Sequence, residues 1–318
     1  MPTKTTKPTL SMAQVDRMYA SEDACKALLA KLRWPNGSPV CPRCSETKRV
    51  YKTAQPFRWN CKNPACKAEG STSDKPNAGY RFSVLTRTVF ENTNVPLRTW
   101  FKVAFLMASS KKGISSLQVW RMMDPVRGDT GSYKTALYMT HRIRAAMQDG
   151  DFQKLTGTVE IDETYVGGKE ANKHRSKRRK IRGGTGGKVG IIGAISRKGN
   201  VVAQVIERMD YVTTERFVRQ AISEDVSLVC SDSEQNYEFM YYGPNATHEA
   251  VKNTKGEYVR GQVHTANLDQ FWSLLKRGIM GTFHQVSKKY LPLYVNEFAW
   301  RHSNRNNPDI FHALLAGC

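Results

Sequence analysis

Four cysteines constrain this chain more than any other feature. Cys41 and Cys44 form one close pair, Cys61 and Cys66 a second, and sixteen residues separate the pairs. Each pair sits on a turn that can point two sulfurs at one ion, and Pro42 and Pro64 stiffen those turns. This is the spacing of a four-thiolate zinc site. With all four positions taken by protein, no place is left for water, so zinc at Cys41, Cys44, Cys61 and Cys66 is expected to be structural. The segment is too small to bury much apolar surface, and the metal supplies much of its stability. Four unrelated thiols would not explain the pairing. The other cysteines, Cys25, Cys230 and Cys318, are scattered, and an odd total of seven argues against a disulfide framework.

Charge gives the next constraint. The 318 residues carry 49 Lys and Arg against 28 Asp and Glu, a formal net charge of +21. Such an excess calls for a polyanionic partner, and nucleic acid is the first candidate; the bland alternative is a chain basic only for solubility. With 40% hydrophobic and 10% aromatic residues the chain can build a core, which excludes wholesale disorder. No apolar run approaches the roughly 20 residues of a membrane helix. Residues 1–10 are polar and lack a secretory h-region. The expectation is a soluble, cytoplasmic protein with no membrane partner.

Patterning divides the chain into four. Residues 1–36 read as an N-terminal helical segment, with Ser21 together with Asp23 capping its second helix. Residues 37–90 hold the cysteines and three short strands (48–51, 57–61 and 80–83). Residues 91–150 read as three helices with a Gly113 turn before the second, and Leu117, Val119 and Trp120 on that second helix; this fits either a helix-turn-helix unit or a generic three-helix core. Pro96 is expected at the first helical position. Residues 151–318 read as a mixed α/β domain. Its strands are expected at 158–166, 189–196, 201–207 and 226–230. A helix is expected at 213–224, capped by Thr213 or Thr214, and helices after residue 230.

Three acids stand out against the basic background. Asp162 lies mid-strand in Val159-Glu-Ile-Asp-Glu-Thr-Tyr165, where alternation puts Glu160 on its face and Glu163 with Val159 and Ile161. Asp232 ends the apolar strand that runs through Cys230. Asp269 begins a helix whose buried stripe is Leu268, Phe271, Leu275 and Ile279, and Lys276, seven residues on, shares its face. Acids from two strands and one helix can converge on a point, and two Mg²⁺ ions about 4 Å apart need such oxygen-rich ligands. Taken singly, each acid reads equally as a cap or a surface ion-pair partner.

The segment Val159-Glu-Ile-Asp-Glu-Thr-Tyr-Val-Gly-Gly168 resembles the first catalytic block of DDE/D-type insertion-sequence transposases with an N-terminal zinc ribbon, the ISXO-like group. Cys230-Ser-Asp232 with Tyr237 resembles the second block, and the run His264 to Gly278 the third. Ser287-Lys-Lys-Tyr-Leu291 with Tyr294, Glu297, Phe298, Arg301 and Asn304 resembles the C-terminal signature. Arg33-Trp-Pro-Asn-Gly37, Phe82-Ser83, Thr88-Val-Phe-Glu91 and Pro96-Leu-Arg-Thr-Trp100 also fit. The resemblance spans roughly residues 12–315.

It implies a ribonuclease-H-like catalytic domain, preceded by a zinc ribbon and a helical DNA-binding region. Asp162, Asp232 and Asp269 would be the catalytic, magnesium-binding residues, two Mg²⁺ per site with Mn²⁺ as a substitute, and Lys276 with Arg277 would contact DNA. The implied activity cuts element ends and joins the 3′ hydroxyls to target DNA. The partners would be terminal inverted repeats and target DNA, and joining two ends needs a homodimer or larger assembly; the setting would be the bacterial nucleoid. The third block departs from the family's usual His-Thr-Asn-x-x-Glu: Ala266 stands in the Asn place, Asn267 follows it, and Asp269 replaces Glu. Asn267 and His264 are further candidates for that site.

After the Asp162 strand comes a basic loop with Lys173, Arg175, Lys177, Arg178, Arg179, Lys180 and Arg182. It reads either as a solvated loop or as a grip on DNA phosphates, and the two combine where the loop orders on DNA. Two rival functions remain at this level. One is a non-catalytic zinc-ribbon DNA-binding protein, such as a regulator or decayed transposase copy. The other is a nuclease that never joins ends.

Overall fold

A computed structural model describes residues 10–66, 79–123, 131–148, 154–168, 174–177, 187–197, 199–232, 237, 240–252 and 256–318. The chain divides into two compact units. One comprises residues 1–110, 114–147 and 307–318; the other comprises 111–113 and 148–306.

The first unit starts with helices α1 (Met12–Met18) and α2 (Glu22–Arg33). Ser21 caps α2, its hydroxyl accepting from the Ala24 amide at 3.1 Å. Strands β1 (Val50–Lys52), β2 (Arg58–Cys61) and β3 (Tyr80–Ser83) form an antiparallel sheet in the order β1-β2-β3. Its aromatic spine is Trp34, Trp59 and Phe82, with Trp34 edge-on to Trp59 at 4.7 Å. Three helices follow: α3 (Leu97–Ser109), α4 (Ser116–Met122) and α5 (Tyr133–Ala146). Pro96 is the N-cap of α3 rather than its first residue. Having no hydroxyl or carboxylate to offer, it leaves the Leu97 amide to the Glu22 carboxylate at 2.7 Å. On the second of these helices Val119 and Ser116 are buried, while Leu117 and Trp120 are exposed. The buried hydroxyl pair Ser116–Thr140, at 2.7 Å, fixes that rotation by tying α4 to α5. The last helix, α9 (Ile310–Gly317), packs on α2 and α3, with Phe311 against Phe101.

The second unit is a five-stranded sheet with helices on both faces. Its strands are β4 (Leu155–Val166), β5 (Val189–Ser196), β6 (Val201–Ile206), β7 (Ile222–Ser231) and β8 (Thr247–Ala250), in the order β6-β5-β4-β7-β8. β4, β5 and β6 are antiparallel neighbours, whereas β7 and β8 run parallel on the other side of β4. β8 lies where only helices were expected. Its sequence, Thr-His-Glu-Ala, is polar because it is an edge strand with little to bury. Helix α6 (Tyr211–Ala221) begins two residues before the expected start, and its cap is Asp210, not Thr213 or Thr214: the Asp210 carboxylate accepts from the Thr213 amide at 2.9 Å. Val159, Ile161, Ile192 and Ala194 pack with Phe217 and Val218 of α6 on one face. Ile191, Ile195, Val201 and Ala203 pack on the other with α7 (Ala266–Gly278) and α8 (Leu291–Ser303). This mixed sheet, a 3-2-1 antiparallel meander extended by two parallel strands, is the ribonuclease-H-like arrangement. Among the described residues, no helix is long and apolar enough to cross a membrane.

Candidate active site and thiolate cluster

The thiolate cluster closes as its spacing requires. Cys41 and Cys44 lie on the turn before β1, Cys61 ends β2, and Cys66 follows one helical turn later. The four sulfurs all lie within 4.8 Å of one another, with Cys41–Cys66 at 3.6 Å and Cys44–Cys61 at 3.7 Å. Tetrahedral Zn–S bonds of about 2.3 Å place sulfurs about 3.8 Å apart, so the cluster fits a structural zinc ion. Burial pushes the Cys61 thiol up to about 11 and the Cys66 thiol higher still. A cation is what makes thiolates there favourable.

In the second unit the sheet register brings two of the expected acids together. β4 and β7 are parallel, and Glu160 pairs with Cys230. Two residues further along come Asp162, within β4, and Asp232, just past the end of β7, near enough for the Asp232 charge to act on Asp162. Asp162 is buried, at 7% exposure, and Asp232 is half-buried. Burial, then the nearby Asp232 and Glu163, push the Asp162 carboxyl up to about 8. Glu163, on the other face of β4, is also raised by burial and accepts the Tyr237 hydroxyl at 2.7 Å. Neighbouring carboxylates that resist ionising together suit a hard divalent cation, which takes oxygen ligands.

Asp269 is placed differently. It lies in the first turn of α7, exposed, with Thr265 Oγ1 at 3.3 Å from its carboxylate. It is absent from the charges that act on Asp162. Among the described residues, the four cysteines are the one group of three or more ligand side chains that closes within 4.8 Å. Lys276 and Arg277 are exposed in the last turn of α7, and Arg277 Nε bonds the Ser273 carbonyl at 3.1 Å. Of the basic loop, Arg175 is exposed and Lys177 belongs to the same short turn, 175–177. Lys173, Arg178, Arg179, Lys180 and Arg182 lie outside the described residues.

Two residues matter more here than the sequence suggests. Trp272 on α7 donates its indole Nε1–H to Asp162 Oδ2 at 2.9 Å. Its burial is readable from the spacing, four residues after Leu268; its partner is not. Glu160 is wholly buried, and Arg197 Nε donates to it at 3.0 Å. Asn267 donates to the same carboxylate through both its backbone N–H (2.9 Å) and Nδ2 (2.7 Å). Alternation shows the face that Glu160 shares with Asp162, yet nothing local to β4 indicates a partner more than a hundred residues away.

Fold and sites together, a thiolate ribbon followed by a ribonuclease-H-like sheet with acids on and beside its central strands, are those of the insertion-sequence transposase class. Residues 154–303 match the ISXO2-like transposase domain, and residues 20–69 match the transposase zinc-ribbon domain. Over these two segments the chain is similar to ISXO2-like transposases that carry an N-terminal zinc ribbon. It is 28% identical over 306 residues to an uncharacterized protein in transposable element ISH50 of Halobacterium salinarum, a match that covers 90% of this chain and 92% of that protein.

Proposed function

We propose that the protein cleaves the ends of an insertion element and joins the freed 3′ hydroxyls to target DNA, with Asp162, Asp232 and Asp269 as its catalytic acids. The observation that carries this reading is the proximity of Asp162, within β4, to Asp232, just past the end of the parallel strand β7, where burial and like charge hold the Asp162 carboxyl up. Two magnesium ions on these acids would supply Lewis-acid activation of the attacking oxygen and charge stabilisation of the leaving one.

The chain's own residues prepare the rest. Trp272 donates to Oδ2 of Asp162 and fixes the carboxylate plane. Asp269 comes from the first turn of α7 and completes the acid set. Lys276 and Arg277 at the far end of α7, with the basic loop after β4, hold DNA phosphates. Hydrolysis at the element end breaks one P–O bond and frees a 3′ hydroxyl. That hydroxyl attacks a target phosphate in line, so one P–O bond forms as another breaks and no covalent enzyme intermediate is needed. The zinc ribbon and the α3–α5 helices bind the terminal inverted repeats, and a dimer or larger assembly pairs the two ends.

A strand-transfer assay with Mg²⁺ and terminal-repeat DNA tests this. A zinc-ribbon DNA-binding protein without catalysis would bind the same DNA and neither nick nor join it. A plain nuclease would nick without joining.

A further inference from the structure

We infer that Glu160 is the positioning residue of the active site, a buried anchor that fixes the N-terminus of α7, and with it Asp269, relative to the strand that carries Asp162. The inference rests on the reading of Asp162, Asp232 and Asp269 as the catalytic acids.

Glu160 is 0% exposed and sits on the central strand two residues before Asp162, on the same face. An isolated charge in that position would be costly, and here it is matched on both oxygens. Oε2 accepts the backbone N–H groups of Asn267 at 2.9 Å and Leu268 at 3.1 Å. Oε1 accepts from Asn267 Nδ2 at 2.7 Å and Arg197 Nε at 3.0 Å, and His264 Nδ1 lies 3.3 Å away. Arg197 Nη2 also bonds the His264 carbonyl at 3.3 Å, which closes the network around the start of the helix.

This network does the work of a helix cap. The first amides of a helix lack partners of their own, and a carboxylate at that end is favoured by the helix dipole. Thr265, the N-cap residue of α7, makes no side-chain cap bond. The carboxylate comes instead from β4, so the bond that starts the helix also welds it to the strand carrying Asp162. A second tie lies further along the helix: Trp272 Nε1 to Asp162 Oδ2. Asp269 falls between the two ties, and its place relative to Asp162 is set by them.

Three consequences follow for the third block. Glu160 has no oxygen left over for a metal. Asn267 and His264 are turned to Glu160 and are positioning groups rather than ligands. Asn267, one place later than the family's usual Asn, keeps a side-chain amide on the anchor despite Ala266.

The test uses the full-length protein carrying Glu160→Gln, and Asn267→Ala as a milder second variant. In zinc-loaded protein without Mg²⁺, hydrogen exchange at the Asn267 and Leu268 amides is expected to accelerate in Glu160→Gln. Outer-shell substitutions typically cost 10–100-fold in metal affinity or activity, so the Mg²⁺ needed for half-maximal strand transfer should rise about 10-fold, and less in Asn267→Ala. Terminal-repeat binding and zinc content should not change. Unaltered amide exchange together with an unaltered Mg²⁺ requirement in both variants overturns the inference. Loss of one bound metal by titration calorimetry in Glu160→Gln, rather than weaker binding at full stoichiometry, also overturns it by making Glu160 a ligand. If Asp162→Ala still transfers strands, the catalytic reading itself fails, and the exchange result still decides whether Glu160 anchors α7.

Discussion

The indole of Trp272 donates to Asp162 Oδ2 at 2.9 Å, and the strand neighbour of Asp162 that makes room for it is Gly193. A Cβ on Gly193 would stand 2.6 Å from Trp272 Cη2 and 2.8 Å from Cζ2, inside van der Waals contact. A helix residue, a strand residue and a missing side chain thus fix one carboxylate oxygen together.

Trp272→Phe keeps the packing and removes the donor. Strand transfer should fall about 10-fold, as outer-shell losses generally do, with terminal-repeat binding unchanged. Gly193→Ala should fall in the same direction through overpacking, at about 1–3 kcal/mol of stability. Steady-state rates and thermal melts of the two variants check this. A Trp272→Phe enzyme with the parental rate would leave the indole contact without functional weight.

The Asp162 carboxyl makes metal-free stability depend on pH in an uncommon direction. In the unfolded chain it ionises near its ordinary value, about 4, while in the fold burial and its acidic neighbours push it up to about 8. The folded state therefore favours the protonated form. Stability is fully present below the unfolded value, declines as pH rises between about 4 and about 8, and levels off above that. Asp162→Asn should flatten this decline and raise the melting temperature at pH 8. Added Mg²⁺ should raise the melting temperature of the parent at pH 8 and have no such effect on Asp162→Asn.

The cysteine cluster gives an independent outcome. Zinc must displace protons from thiols that burial holds up, Cys61 at about 11. Zinc content should therefore fall as pH is lowered from 7 to 5, and a chelator should unfold the ribbon, because metal binding in such small domains is folding free energy of about 10–16 kcal/mol. The Trp34–Trp59 pair reports it through near-ultraviolet circular dichroism. A signal unchanged after complete zinc removal would show a ribbon that stands without metal.

Glu297 and Arg301 form a buried ion pair one turn apart on α8, and the guanidinium lies over the Phe298 ring at 4.6 Å. Removing one partner strands the other charge. Glu297→Ala should cost about 3–5 kcal/mol in denaturant unfolding, and replacing both residues with apolar ones should recover most of it. An additive double variant would show that the pair is not coupled.

Much of this was legible in the sequence because it is local. Strand alternation placed Glu160 and Asp162 on one face and Glu163 on the other. Helical spacing marked Leu268, Phe271 and Leu275 as buried, and paired spacing marked the four cysteines. What could not be read depends on contacts distant in the chain. Asp210 displaced Thr213 and Thr214 as the cap of α6 because the competition among neighbouring cap residues is settled by backbone geometry. β8 was missed because a polar edge strand carries no apolar signature. The rotation of α4, which exposes Trp120, is set by the Ser116–Thr140 contact across to α5. The Asn267–Glu160 and Trp272–Asp162 contacts join residues more than a hundred apart, where no periodicity reaches.

The central claim is that Asp162 on β4 and Asp232 just past β7 perform DNA strand transfer. The most direct measurement is joining of terminal-repeat DNA to target DNA in Mg²⁺ by the parent, Asp162→Ala and Asp232→Ala, each first shown to retain terminal-repeat binding and zinc. The account predicts joined product with the parent and none above background with either variant. Joined product at the parental level from either variant would contradict it.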